Sequence, residues 1–269
     1  MGDHDTWYTV LMPEFWARLE HGPLKEQLGR EWEWMFFSDT HFSLVHVAGA
    51  LITCLFLVFA ASRYRASIED QTKGVVPPRR WTLAAMVNGF VEAVFNMATD
   101  IMGEDQARKF LPLLGTLALF IFCCNIQALI PGFLPATDTL KTNLGLAAMA
   151  FVIYNVVGIR AQGLAYFAHF LGPSFSFSAN GPKAPWLFWL MLPVELASHI
   201  GRPISLSLRL MGNMVADHKV VGIMLTLVPL FVPVPFLLLG VLVCIVQTVV
   251  FTMLTMIYIA MAAEHAEGH

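Results

Sequence analysis

Charge is what this sequence has least of. Asp, Glu, Lys and Arg make up 13% of its 269 residues and hydrophobic residues 57%, where ordinary soluble domains carry about 25% charge. That shortage excludes a conventional soluble domain. Several apolar runs reach the ~20 residues a helix needs to cross a bilayer, and a soluble core could hide one of them but not five. Basic residues never gather into a long patch, which excludes a nucleic-acid-binding surface. Cysteines are few: Cys54, Cys123, Cys124 and Cys244 fall inside apolar runs without metal-ligand spacing, and read as small buried apolar residues. No H-E-x-x-H pair is present, as a membrane metalloprotease would need. No internal repeat of the kind that builds many secondary transporters is present either. The acidic, Trp-rich N-terminal segment has no short apolar core with a cleavage site, so no removable signal peptide is expected. No cofactor or metal site is expected, and the terminal "EHAEGH" reads as a chain tail. What remains is an all-α polytopic membrane protein.

Its organisation follows from where the charges fall. Residues 1–40 form an external segment, and 41–62 ("HFSLVHVAGALITCLFLVFAAS") the first transmembrane helix. The loop at 63–80 holds five of the sixteen Lys and Arg residues, so it is cytoplasmic and the N-terminus lies outside. Residues 81–104 are different in kind. Asn88, Glu92, Asn96 and Asp100 recur every four residues on an otherwise apolar helix. Such a helix either lies in the interface with its stripe toward water or packs the stripe against protein, the interfacial placement being preferred. A membrane hairpin at 110–162 and a cytoplasmic loop at 163–185, flanked by Arg160 and Lys183, come next. Residues 186–264 supply two long helices, and the C-terminus ends inside. Some 40 helical residues measure ~60 Å against a ~30 Å hydrocarbon core. The first of the pair must therefore tilt strongly or break near Pro193 or Pro203.

On that helix, Glu195, Ser198, Arg202, Ser205, Arg209 and Asn213 fall within ~40° of one line at 100° per residue. A charge at mid-membrane costs ~2.5–3.5 kcal/mol on insertion scales, and arginine cannot shed its proton. Asp217 is two turns away and ~80° around, too far to neutralise Arg209. The partner of Arg209 is therefore expected on another chain, which points to ion transport. A second stripe, Gly240, Cys244, Gln247, Phe251, Thr255 and Tyr258, could face it from the last helix. His218 lies ~180° from Arg209 and is either a proton relay or, beside Lys219, a solvated helix end. Asp138 in "PATDT" either gathers protons at an aqueous mouth or caps the helix that follows.

These residues sit in longer motifs. "RPISLSLRLMGNMVADH", "LVPLFVPVP" and "VQTVVFTMLTMIYIAMAAEHAEGH" follow "NGFVEAVFNMATDIMGED", "NIQALIPGFLPATD" and "LPVELASHIGRP" in the chain. In content and order they resemble subunit a of F-type ATP synthases, over roughly residues 80–264. The resemblance implies a non-catalytic stator and proton-channel subunit with two tilted helices facing a rotating ring of c subunits. It implies further partners in the peripheral-stalk b subunits and the rest of the complex. It implies a bacterial inner (plasma) membrane as the location. Arg209 matches the essential arginine that meets the ring carboxylate and separates two half-channels. Asn213 and Gln247 match polar positions beside and across from it, Glu195 and Ser205 the exit side, and Asp138 and His218 the uptake side. One departure stands out. Many bacterial members pair Glu at the position of His218 with His at that of Gly240, and mitochondrial members carry His and Glu there. Cyanobacterial and chloroplast members have Glu and Gly. With His218 and Gly240 that acid–histidine pair is absent, and His218 is expected to work with Asp138 or Asp217 through water.

Overall fold

In hydrocarbon a helix satisfies its own backbone groups, so long apolar runs become helices. A computed structural model of the chain describes residues 11–14, 16, 32–34, 37–39, 44–68, 82–130, 133, 136–163, 185–227 and 233–264. Its long elements are α1 (Leu44–Ile68), α2 (Leu83–Met102), α3 (Glu104–Ala128), α4 (Leu140–Gln162), α5 (Pro185–Leu227) and α6 (Pro233–Glu264), with a short 3-10 turn at Ala136–Asp138. The all-helical expectation has one small exception. Strands β1 (Trp32–Trp34) and β2 (Phe37–Asp39) pair antiparallel, with Trp32 opposite Asp39 and Trp34 opposite Phe37.

Four stretches are long and apolar enough to cross a membrane: Val47–Arg65, Glu104–Ala128, Leu140–Arg160 and Pro233–Ala262. With 43 residues α5 is longer than any of them, yet Glu195, Arg202, Arg209, Asp217 and Lys219 dilute its apolarity. It runs unbroken through Pro193 and Pro203. A helix survives a proline when the carbonyl it frees finds another partner or water.

Two boundaries differ from the sequence expectation. Helix α1 continues past residue 62 through Arg63 and Arg65 to Ile68. Helix α3 begins at Glu104 rather than near residue 110. Gly103 takes φ +79°, a left-handed conformation open to glycine, and its N–H closes α2 onto the Thr99 carbonyl at 3.0 Å. Helix α3 then restarts at once, with Glu104 and Asp105 in its first turn, where carboxylates complement the helix dipole. Glu104 also pairs with Arg108 one turn on at 2.7 Å. The hydrophilic "EDQARK" looks like a linker and is two turns of helix.

The chain divides into two compact units. The first takes in Met1–Val87, Leu119–Thr139 and Met214–Ile245. There α1 meets the second half of α3 through a polar contact, the Thr53 hydroxyl donating to Gln127 Oε1 at 3.0 Å. The outward face of α1 shows Val47, Leu51, Leu55 and Val58, all exposed, a surface suited to lipid. Cys54 is exposed there as well and Cys123 is half-buried, so the expectation of four buried cysteines holds only for Cys124 and Cys244. The reason is that apolar runs in a membrane protein face outward as readily as inward.

The second unit takes in Asn88–Ala118, Leu140–Asn213 and Val246–His269. Its core joins Val94, Ala98 and Met102 of α2, Ala107, Leu114 and Ala118 of α3, Tyr154 of α4, and Met256 and Ile259 of α6. Ala98, Ala107 and Ala118 have no exposed surface; small side chains let helices approach closely where lipid supplies no hydrophobic drive. The stripe of α2, Asn88, Glu92, Asn96 and Asp100, is exposed throughout and lies opposite that packed face.

Candidate functional site

The polar stripe of α5 sits on the rim of the second unit. Glu195, Arg202 and Asn213 are half-buried, whereas Ser198, Ser205 and Arg209 are exposed. Two of the six reach α6. The Arg202 guanidinium lies 5.1 Å from the centre of the Tyr258 ring, a cation–π distance. The Asn213 amide donates to Gln247 Oε1 at 2.7 Å. Gln247 Nε2 is buried and has no hydrogen-bond partner among the described residues. Arg209 lies between these two contacts in sequence and makes no ion pair or hydrogen bond among the described residues. The expectation that its partner belongs elsewhere is consistent with that geometry. Its neighbours on the same face of the helix, Ser205, Gly212 and Ala216, are also exposed and all small.

Further along α5 a cluster forms that the sequence reading did not single out. Asn155 of α4 donates its Nδ2 to the Phe151 carbonyl at 2.7 Å, which fixes the amide with Oδ1 outward. His199 Nε2 lies 2.9 Å from that Oδ1. Facing an acceptor, Nε2 must carry the proton. Nδ1 is then bare in the neutral ring and faces the Tyr154 hydroxyl at 3.5 Å. Phe151 and Tyr154 meet the imidazole edge to face, with centroids 4.9 and 5.5 Å away. Ser207 adds a second tie between the two helices, its hydroxyl donating to the Pro203 carbonyl at 2.8 Å and lying 3.3 Å from that of Asn143. Replacing His199 by leucine removes the Nε2–H donor to Asn155 Oδ1, at a cost of about 0.5–1.5 kcal/mol, whereas His199→Gln can still donate to it. The heat-induced dissociation midpoint of the detergent-solubilised protein should therefore fall in H199L and recover in H199Q.

In the first unit the polar groups gather around the loop end of α3. Thr137, in the 3-10 turn beside Asp138, lies 3.4 Å from Asn125 Oδ1 with its hydroxyl donating. The Cys244 thiol donates to the Asn125 carbonyl at 3.2 Å. Asn125 and Thr137 are fully buried. Two buried atoms here have no hydrogen-bond partner among the described residues, Asn125 Nδ2 and Asp217 Oδ2. Gly240, one turn before Cys244, is buried against Leu129 and lies beside Asp217. His218 is within α5 and Asp138 within the 3-10 turn, but both side chains lie outside the described part of the structure.

Among the described residues, the two stripes expected from the sequence meet at Asn213 with Gln247 and at Arg202 with Tyr258. The stripe Gly240, Cys244, Gln247, Phe251 and Thr255 is buried along its length, with Tyr258 half-buried at its end. Asn125 and Asn155 were not singled out, although each is a polar residue in an apolar run, the same signal that singled out Arg209.

These features define a class: a polytopic integral membrane protein with an exposed arginine on a long helix that has no ion pair among the described residues, and with buried polar clusters. The sequence pattern of the ATP synthase A chain family matches residues 43–260, and the chain belongs to that family. It is 42% identical over 223 residues to ATP synthase subunit a 1 of Syntrophotalea carbinolica, covering 83% of this chain and 87% of that one. It is 39% identical over 220 residues to ATP synthase subunit a of Sorangium cellulosum, covering 82% of each. With ATP synthase subunit a of Geobacter sulfurreducens it shares 38% identity over 216 residues, or 80% of this chain and 85% of that one.

Proposed function

We propose that this chain carries protons through two offset half-channels against the rotating c-ring of an F-type ATP synthase, with no active site of its own. The observation that carries the reading is Arg209, exposed on a long helix and without an ion pair or hydrogen bond among the described residues. A permanent guanidinium there attracts a carboxylate on the ring, promotes release of its proton, and blocks direct leakage between the half-channels. Asn213 and Gln247 hold the polar lining beside it, Glu195 and Ser205 serve the exit side, and Asp138 and His218 the uptake side. Each elementary charge moved is worth ~2.3 kcal/mol per 100 mV, so several per turn can drive ATP synthesis elsewhere in the complex. At ~1.5 Å per residue, the 43 residues of α5 exceed the bilayer core about twofold, so α5 lies strongly tilted along the ring. The external segment 1–40, the cytoplasmic loops 63–80 and 163–185, and the interfacial helix at 81–104 complete the arrangement. The N-terminus is outside and the C-terminus cytoplasmic, in a bacterial inner membrane. The peripheral-stalk b subunits hold the chain against rotation.

The test is purification of the tagged chain from its native membrane in mild detergent. A ring of small hairpins carrying one membrane carboxylate each should come with it. A chain that purifies alone and moves an anionic solute in vesicles would overturn the reading.

A further inference from the structure

His199 is held in the second unit in the way a moving proton requires. Asn155 fixes one ring nitrogen. Its Nδ2 donates to the Phe151 carbonyl at 2.7 Å, so Oδ1 faces His199 Nε2 at 2.9 Å. Against that acceptor Nε2 keeps its proton whether the ring is neutral or charged, and proton exchange is confined to Nδ1. The neighbour of Nδ1 at 3.5 Å is the Tyr154 hydroxyl, which can donate to a bare nitrogen or accept from a protonated one. Contacts of this length tighten when a proton is in transit. Imidazole and imidazolium therefore fit the same place in the same rotamer. A histidine that only tied α4 to α5 would need the Asn155 contact alone.

The surroundings suit a charge that comes and goes. His199 is half-buried rather than sealed. It lies ~40° around α5 from Glu195 and one turn on, a spacing at which side chains meet. The charged groups that act on it are Arg202 and Glu195, of opposite sign. Arg202 is placed over the Tyr258 ring at 5.1 Å, and that ring lies 5.8 Å from Tyr154. The titratable and charged groups facing His199, among the described residues, are thus Glu195 and Arg202 of α5, Tyr154 of α4 and Tyr258 of α6.

We propose that His199 hands translocated protons between the c-ring and the Glu195 end of α5, on the release side, with Asn155 as its positioning residue. This rests on the proton-carrying reading of Arg209 and extends it to a side chain beside the polar line. The step balances without any redox change. A proton from water on the ring side bonds to the Nδ1 lone pair and gives the imidazolium. The Nδ1–H bond then breaks toward water beside Glu195, and the neutral ring returns. ATP-driven pumping runs the same step in reverse.

The experiment uses the whole synthase in inverted membrane vesicles, reading ATP-driven acidification and ATP hydrolysis across a range of medium pH around neutrality, where imidazole titrates. His199→Gln keeps a donor for Asn155 but carries no proton. H199Q should assemble and hydrolyse ATP as wild type does, yet pump about tenfold more slowly, since positioned proton-transfer groups contribute at least that much. Its pumping should also lose the pH dependence that wild type shows in that range. Wild-type pumping by H199Q overturns the inference. So does slow pumping with an unchanged pH profile, which marks a packing role. Should H199Q fail to assemble, Tyr154→Phe decides, because it removes the hydroxyl facing Nδ1 and keeps the ring. Slow pumping by Y154F with hydrolysis retained upholds the inference, and wild-type pumping overturns it. Arg209→Ala in the same assay separates the layers. If R209A loses pumping while H199Q keeps it, the His199 inference alone fails; if both keep it, the underlying reading fails.

Discussion

Vesicles bearing the Arg209→Ala synthase should hydrolyse ATP at close to the wild-type rate and build no ATP-driven proton gradient. The magnitude follows from one interaction. Two unit charges 4 Å apart attract by about 4 kcal/mol at an effective dielectric of 20, and each 1.36 kcal/mol is tenfold in rate. Losing the guanidinium should therefore slow coupled transfer by about a thousandfold. Lysine should not replace it well, because a buried ammonium sheds its proton readily and lacks the planar fork that matches a carboxylate. Acidification measured with a pH-sensitive dye decides the matter. Pumping by R209A within a few fold of wild type would remove Arg209 from the mechanism.

The second large effect concerns Gln247. Its Oε1 accepts the Asn213 amide at 2.7 Å, so Gln247→Leu leaves that amide facing an apolar side chain. An orphaned buried donor costs about 1–3 kcal/mol, and ATP-driven pumping should fall by about tenfold. Asn213→Leu should behave similarly, because it removes the donor to Gln247 Oε1, and Gln247 Nε2 has no partner among the described residues. The double replacement is the informative one. Two apolar partners of matching shape can be nearly neutral where one is not, so assembly and heat stability should return toward wild type. A double-mutant cycle with no coupling would show that the contact does not link α5 and α6.

Much of this was legible before any coordinates, for a physical reason. Hydrocarbon forces each spanning segment to be helical, so apolar run lengths give the helices and the positions of polar residues give their faces. The isolation of Arg209 could be read because its own helix offers no anion at the right angle. The α2 stripe could be read because four polar residues at one spacing leave a single polar face, and the exposure pattern has that form. What stayed hidden needed a second helix. Asp217 is off the Arg209 line, and only the approach of Gly240 and Leu129 shows that it has surroundings of its own. The His199–Asn155 contact joins residues forty-four apart, and no periodicity within α4 or α5 announces it. Pro193 and Pro203 left two outcomes open, a strong tilt or a break, and the helix has no break. Pro203 cannot donate to the carbonyl four residues back, yet α5 continues without a break.

The open face around Arg209 also bears on how the protein is made. A newly inserted copy, before any ring is beside it, exposes an unpaired guanidinium to lipid at a cost of ~2.5–3.5 kcal/mol. Assembly removes that burden, so the orphan and the assembled subunit differ in membrane stability by a factor of roughly a hundred at 1.4 kcal/mol per tenfold. If Arg209 meets a ring carboxylate as proposed, the side chain that moves protons in the finished machine also marks the unfinished one, and biases the chain toward capture by the ring or clearance from the membrane.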